Sequence, residues 1–207
     1  MKRNQSGFTL IEIAIVLVII GLLLGGVLKG QELINSAKVK NLATDFKNIP
    51  IYVYGYQDKF RALPGDDPRA ESHVSSTHAG NGNGMIDGEW DENTGEAYYF
   101  WEHVRLAGLA AGPTTGNLLP TNSVGGDIGI QSAGISASAP IATMTGTYVI
   151  CSKGILGKFA KQMDIQMDDG VPNTGSMRAT TGTTGIGMTA ATGVLEDAIT
   201  YTVCMGV

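Results

Sequence analysis

The chain has 207 residues, a formal net charge of −5 and 16% charged residues. That length admits one globular domain beside any membrane segment. Its acidity and 7% aromatic content exclude the basic, aromatic-bearing surface of a nucleic-acid binder, and its 29 glycines suit turns and loops better than a compact helical bundle.

The first element is an apolar run, Phe8 to Leu28, behind the basic pair Lys2 and Arg3. At about 1.5 Å per residue, a helix of that length spans the roughly 30 Å hydrocarbon core of a bilayer. The basic flank holds the N-terminus in the cytoplasm and places everything after Leu28 on the far side. A secretory signal peptide is the plain alternative. Its apolar core is only about 7 to 15 residues and ends at a small-x-small site, whereas this run continues into KGQELINSAKVKNLATDF without such a break. Glu12 is the one ionisable side chain in the run. A charge near the bilayer centre costs roughly 2.5 to 3.5 kcal/mol even on lenient insertion scales, so Glu12 needs a partner or a task.

The segment GFTLIE, Gly7 to Glu12, follows a short basic leader and opens directly into the apolar helix. This arrangement resembles the prepilin leader of type IV pilins and type II secretion pseudopilins. The resemblance implies that a prepilin peptidase cuts between Gly7 and Phe8, that Phe8 becomes an N-methylated N-terminus, and that Phe8 and Glu12 are assembly residues. It divides the chain into a leader (1–7), a transmembrane polymerisation helix (8–28), an amphipathic continuation (29–61) and a head (62–207). Loss of the two cations Lys2 and Arg3 with the leader takes the charge from −5 to −7. The new amine of Phe8 and the carboxylate of Glu12 are each costly in an apolar medium, and each compensates the other. Paired between staggered neighbouring helices, they set the axial register of a filament more than they stabilise it.

The function expected from the resemblance is that of a structural subunit of a type IV pilus-like or type II secretion pseudopilus filament, and not an enzyme. The expected partners are sister subunits in a homo-oligomeric filament, the prepilin peptidase, an inner-membrane assembly platform and minor pilins. The expected location is the bacterial inner membrane, single-pass, with a periplasmic head that becomes part of a filament. The competing reading is a single-pass anchored binding module with a calcium-dependent head. Glu12 separates the two, because a passive anchor gains nothing from an intramembrane acid.

Beyond the membrane run, Val39, Leu42, Phe46, Ile49 and Val53 recur at spacings of three and four, predicting a helix that buries this stripe under the head. Pro50 should bend or interrupt it, since proline lacks the N–H its turn requires, and the helix should end near Arg61. Gly21 with Gly25, and Gly26 with Gly30, have the small-xxx-small spacing that lets membrane helices approach closely.

Residues 63–95 read as loop, followed by a short helix from Glu96 to Leu109 whose Tyr99, Phe100, His103 and Leu106 are available for packing. Strands are expected at Gly146 to Ser152 and Ala198 to Met205, half-buried and antiparallel, with a helix from Gly157 to Met167 between them. The fold class is therefore α+β: a long N-terminal helix, membrane-spanning in its first half, packed on a globular head with an antiparallel sheet. Cys151 and Cys204, on the far side of the membrane, form a disulfide or remain as two buried thiols. No CxxC spacing points to redox or zinc chemistry.

Three segments could carry other chemistry. NGNGMID, Asn81 to Asp87, matches the middle of a calcium loop, with Asn81, Asn83, Asp87 and Glu89 as candidate ligands and Asp66, Asp67 and Asp91 within reach in sequence. Ala79 and Trp90 occupy its end positions, and a metal-free glycine-asparagine turn is the alternative. Calcium is the candidate ligand, and no motif demands a cofactor. Asp164, Asp168 and Asp169 form a second acidic patch, where the turn chemistry of Asp169-Gly170 and Pro172-Asn173 favours a turn over a metal site. GILGK at Gly154 to Lys158 is too short for a phosphate loop, and no GxSxG or HExxH exists.

Overall fold

The computed structural model describes residues 9–133, 139–182 and 187–207. It divides the chain into two compact units, Met1–Ala37 and Lys38–Val207. Helix α1 (Leu10–Phe60) runs through both sequence ranges. In the first unit its apolar side chains from Leu10 to Leu28 are exposed, and by length and composition the helix can cross a membrane.

In the second unit, Val39, Leu42, Phe46, Ile49, Val53 and Tyr56 are buried on one face of α1, the stripe expected from the spacing plus one more turn. Pro50 does not interrupt α1. Ile49 and Val53, on either side of it, are buried in the core and hold the turn in place, against the roughly 3 kcal/mol that an interior proline costs a helix. The helix stops at Phe60, and Arg61 takes a left-handed φ of 56°.

Four strands, β1 (Ile128–Ser132), β2 (Tyr148–Leu156), β3 (Met177–Thr180) and β4 (Thr200–Gly206), form one antiparallel sheet in the order β1-β2-β4-β3. Among the described residues, three shorter helices accompany it: α2 (Ala70–Val74), α3 (Glu96–Leu106) and α4 (Gly157–Met167). The fold is α+β, as expected. The boundaries differ where backbone detail decides. Helix α3 ends three residues before Leu109 because Gly108 adopts a φ of 76° and the Leu109 N–H turns back to the Val104 carbonyl at 2.9 Å, closing the helix in a Schellman cap. Strand β2 runs four residues beyond Ser152 because a bulge at Lys153 and Gly154 lets pairing with β4 resume at Ile155.

Strands β1 and β3 and helix α2 were not evident from the residue pattern. In β1, Gly129 stands where any Cβ would collide with the Trp90 carbonyl, so a close backbone approach replaces the expected side-chain alternation. Within β2, Tyr148 and Ile150 join the large core with α1, α3 and α4, while Val149 and Cys151 join a second cluster with Trp90, Ile141 and Met144. The strands are therefore buried on both faces and not half-buried. The cover on the second face comes from loop residues that carry no periodic signal.

Cys151 and Cys204 are register partners on β2 and β4 and are joined by a disulfide across 53 residues. Removing a native disulfide typically costs about 2 to 5 kcal/mol. Reduction, or Cys151→Ser with Cys204→Ser, should lower the urea midpoint of the full chain in detergent accordingly, and non-reducing peptide maps should join YVICSKG to YTVCMGV. An unchanged midpoint would show that strand packing alone holds this seam.

Candidate functional site

The N-terminal end of α1 is built around Glu12. Its Oε2 accepts both the Thr9 backbone N–H and the Thr9 hydroxyl at 2.8 Å, and Thr9 Oγ1 in turn lies 3.3 Å from the Glu12 N–H. This is a reciprocal capping box: Thr9 caps the helix and Glu12 reaches back from its first turn. The Thr-x-x-Glu spacing ahead of an apolar run was the available signal for Thr9, and the role of the threonine was missed. Gly7 and Phe8, the expected processing residues, lie outside the described residues.

In the head, loop 62–95 is fastened by buried acids. Asp66 accepts the backbone N–H groups of Gly82, Asn83 and Gly84 at 2.6, 3.1 and 2.7 Å. Glu96, at the start of α3, accepts those of Asn81 and Asp87 at 2.8 and 3.0 Å, and burial pushes its carboxyl above the usual range despite those bonds. Asn81 and Asn83 both donate their side-chain amides to Asp87 Oδ2 at 2.9 Å. Three of the four candidate calcium residues thus converge, through hydrogen bonds of their own. Glu89 is not joined to them. Its backbone N–H bonds to Glu92 at 3.3 Å, and burial with the Glu92 and Asp91 charges raises its carboxyl.

Asp67 is fully buried and belongs to a different set. Its Oδ2 accepts the Tyr56 hydroxyl at 2.8 Å and lies 2.6 Å from His73 Nδ1, while its Oδ1 accepts the Arg69 N–H at 2.9 Å. Burial pushes this carboxyl up, but the bonds from His73, Arg69 and Tyr56 outweigh it and hold the group below the usual range. A parallel arrangement links Glu102 to Ser76 Oγ and His78 Nδ1, each at 2.7 Å. His103 accepts the Gly65 N–H on Nδ1 at 2.9 Å and places Nε2 2.7 Å from the His78 carbonyl, which makes it a neutral Nε2–H tautomer, and burial lowers its pKa. The serine hydroxyl donates to the acid and not to an imidazole, so Ser76, His78 and Glu102 do not form a nucleophile–base–acid line. These sets bind loop to helix.

Asp164, Asp168 and Asp169 lie where α4 ends. Asp169 makes the expected turn, accepting the Val171 N–H at 2.8 Å and the Thr174 hydroxyl at 2.6 Å. The three also bring one carboxylate oxygen each within 4.8 Å of the others. Burial, with the neighbouring Asp169 and Asp168 charges, pushes Asp164 up to about 6 despite the Gly170 N–H facing it.

Residues 2–28 match the family model of the prokaryotic N-terminal methylation motif, the prepilin signal of type IV pilins and pseudopilins. No curated protein and no solved structure matches the chain. The N-terminal signal is therefore of the type IV pilin-like class, and the apolar helix that follows it is consistent with membrane anchoring.

Asp67→Asn puts an amide nitrogen where Tyr56 and His73 share an oxygen, and should cost about 1 to 3 kcal/mol at neutral pH. Because the folded-state pKa of Asp67 lies below its unfolded value, its stabilisation is present above that unfolded value, near 3.8, and disappears as pH falls through the folded one. Chemical denaturation at pH 7 and below pH 4 should show the variant's deficit shrinking in acid. A deficit independent of pH would mean that shape, and not charge, is what Asp67 contributes.

Proposed function

We propose that this chain is a structural subunit of a type IV pilus-like or type II secretion pseudopilus filament. Prepilin peptidase cuts it between Gly7 and Phe8, Phe8 is N-methylated, and the subunit polymerises through its N-terminal helix from the inner membrane, with its head on the periplasmic side. The observation that carries this reading is the prepilin signal at residues 2–28, joined to a helix whose apolar side chains stay uncovered within the chain and whose first turn holds an acid. Uncovered apolar surface over that length calls for lipid or neighbouring helices.

The capping box supports a specific role for Glu12. Two donors from Thr9 hold its carboxylate in the single subunit. When a neighbouring Phe8 amine arrives, the carboxylate so held accepts a charged donor in a water-poor setting, where an ion pair is stronger than at a surface. Sister subunits, minor pilins and the assembly platform are the partners this requires.

Intact mass of membrane-extracted protein should show loss of Met1 to Gly7 and one added methyl group on Phe8, and an uncut N-terminus in the presence of active peptidase would refute the assignment. Glu12→Gln keeps the side chain's shape while leaving the neighbouring amine unpaired. It should accumulate in the inner membrane and be depleted at least about tenfold from sheared filament fractions, the loss expected from about 1.4 kcal/mol of missing interaction. Assembly equal to wild type would reduce the chain to an anchored head.

A further inference from the structure

The C-terminal end of α4 is built against electrostatic expectation. Helix carbonyls concentrate negative potential at that end and favour cations there. Helix α4 has no basic residue in its last turn and instead supplies Asp164, with Asp168 at the C-cap position and Asp169 next in the chain. One carboxylate oxygen from each lies within 4.8 Å of the others. None of the three has an ion-pair partner among the described residues. The nearby Arg178 directs Nη1 to the Ala142 carbonyl and the Thr143 hydroxyl.

A second observation is independent of this clustering. Asp164 is only 4% exposed, and although the Gly170 N–H faces its carboxylate, Oδ1 has no hydrogen-bond partner. A buried carboxylate oxygen with neither donor nor cation is costly, and proteins seldom leave one without a purpose. Asp168 and Asp169 differ from it: Asp168 Oδ2 accepts the Met177 N–H at 2.8 Å, and Asp169 is held by Val171 and Thr174. Both still have carboxylate lone pairs to offer.

We propose that Asp164, Asp168 and Asp169 form a calcium site. Hard oxygen ligands of this kind select calcium or magnesium over transition metals. Calcium takes six to eight oxygens at about 2.3 to 2.6 Å in a flexible geometry, whereas magnesium demands a near-ideal octahedron at about 2.1 Å and keeps most of its waters, so carboxylates gathered by a helix end and a turn suit calcium better. Water completes the shell, entering on the side of Asp169, which is exposed. The ion neutralises the acidic end of α4 and, through the Asp168 bond to Met177, ties that end to the start of β3. This site is separate from the Asn81 to Asp87 loop and does not depend on filament assembly.

The test uses the full chain in detergent micelles, unfolded by heat and followed by the fluorescence of Trp90 and Trp101, both buried in the second unit. Calcium chloride at a hundredfold excess over Kd should raise the melting temperature by about 5 to 10 °C relative to EGTA, because an ion bound only by the folded state stabilises it by mass action. Calorimetric titration should give one ion per chain. Asp164→Asn and Asp169→Asn should each abolish the rise, and Asp164→Asn should melt no lower than wild type in EGTA, since it removes one of three like charges without removing a hydrogen bond of the turn. Asp87→Asn should retain the rise. The proposal is overturned by no rise in wild type, by a rise that survives in Asp169→Asn, or by a rise lost only in Asp87→Asn. An equal rise in magnesium chloride would overturn the assignment to calcium.

Discussion

Val39, Leu42, Phe46, Ile49, Val53 and Tyr56 line one face of the second half of α1, and the head is assembled on that face. Burial of each large side chain is worth about 1.5 to 3 kcal/mol. Phe100 and Val104 from α3, Phe159 and Met163 from α4, and Ile130, Ile150 and Val203 from the sheet all enter the same core cluster. The continuity of α1 through Pro50 depends on this packing. So does the position of the sheet, whose second face is then free to be closed by Trp90, Ile141 and Met144 around the disulfide.

Between α1 and α3 the head spends polar chemistry on order. Loop 62–95 contains only one short helix, so its backbone donors cannot be satisfied by regular pairing. Buried carboxylates from Asp66 and Glu96 take that place by accepting loop N–H groups, and Asp67 and Glu102 bind side chains that come from α1 and from the loop itself. A long loop held in this way presents a defined surface without a sheet or helix beneath every residue.

The two functional proposals share one physical argument. Glu12 and Asp164 are both acids in settings that disfavour charge, and in neither case does the described chain supply a cation. For Glu12, Thr9 provides neutral donors, and in the proposed filament the full counter-charge is the amine of a processed neighbouring subunit. Asp164 has an oxygen without any donor, and a metal ion is the counter-charge of suitable size. As proposed, the first would couple maturation to assembly, and the second the fold of the head to the calcium around it.

Much of this molecule was written in local pattern. The apolar run, its lone acid, the basic leader, the buried stripe of α1 and the limits of α4 follow from residue spacing, because helix periodicity and membrane length are properties of short stretches of chain. The pairing of Cys151 with Cys204 was the one intramolecular possibility in a chain with two cysteines. Strands β1 and β3 were not legible, since Gly129 interrupts the alternation of one and the other has only four residues. Asn81, Asn83, Asp87 and Glu89 look like a metal loop in sequence, and the first three meet through hydrogen bonds of their own, while Asp164, Asp168 and Asp169 read as a turn and bring carboxylate oxygens together. Sequence spacing reports which residues can share a helix face or a turn; which oxygens are buried, and whether a donor reaches them, is decided only when distant segments pack together.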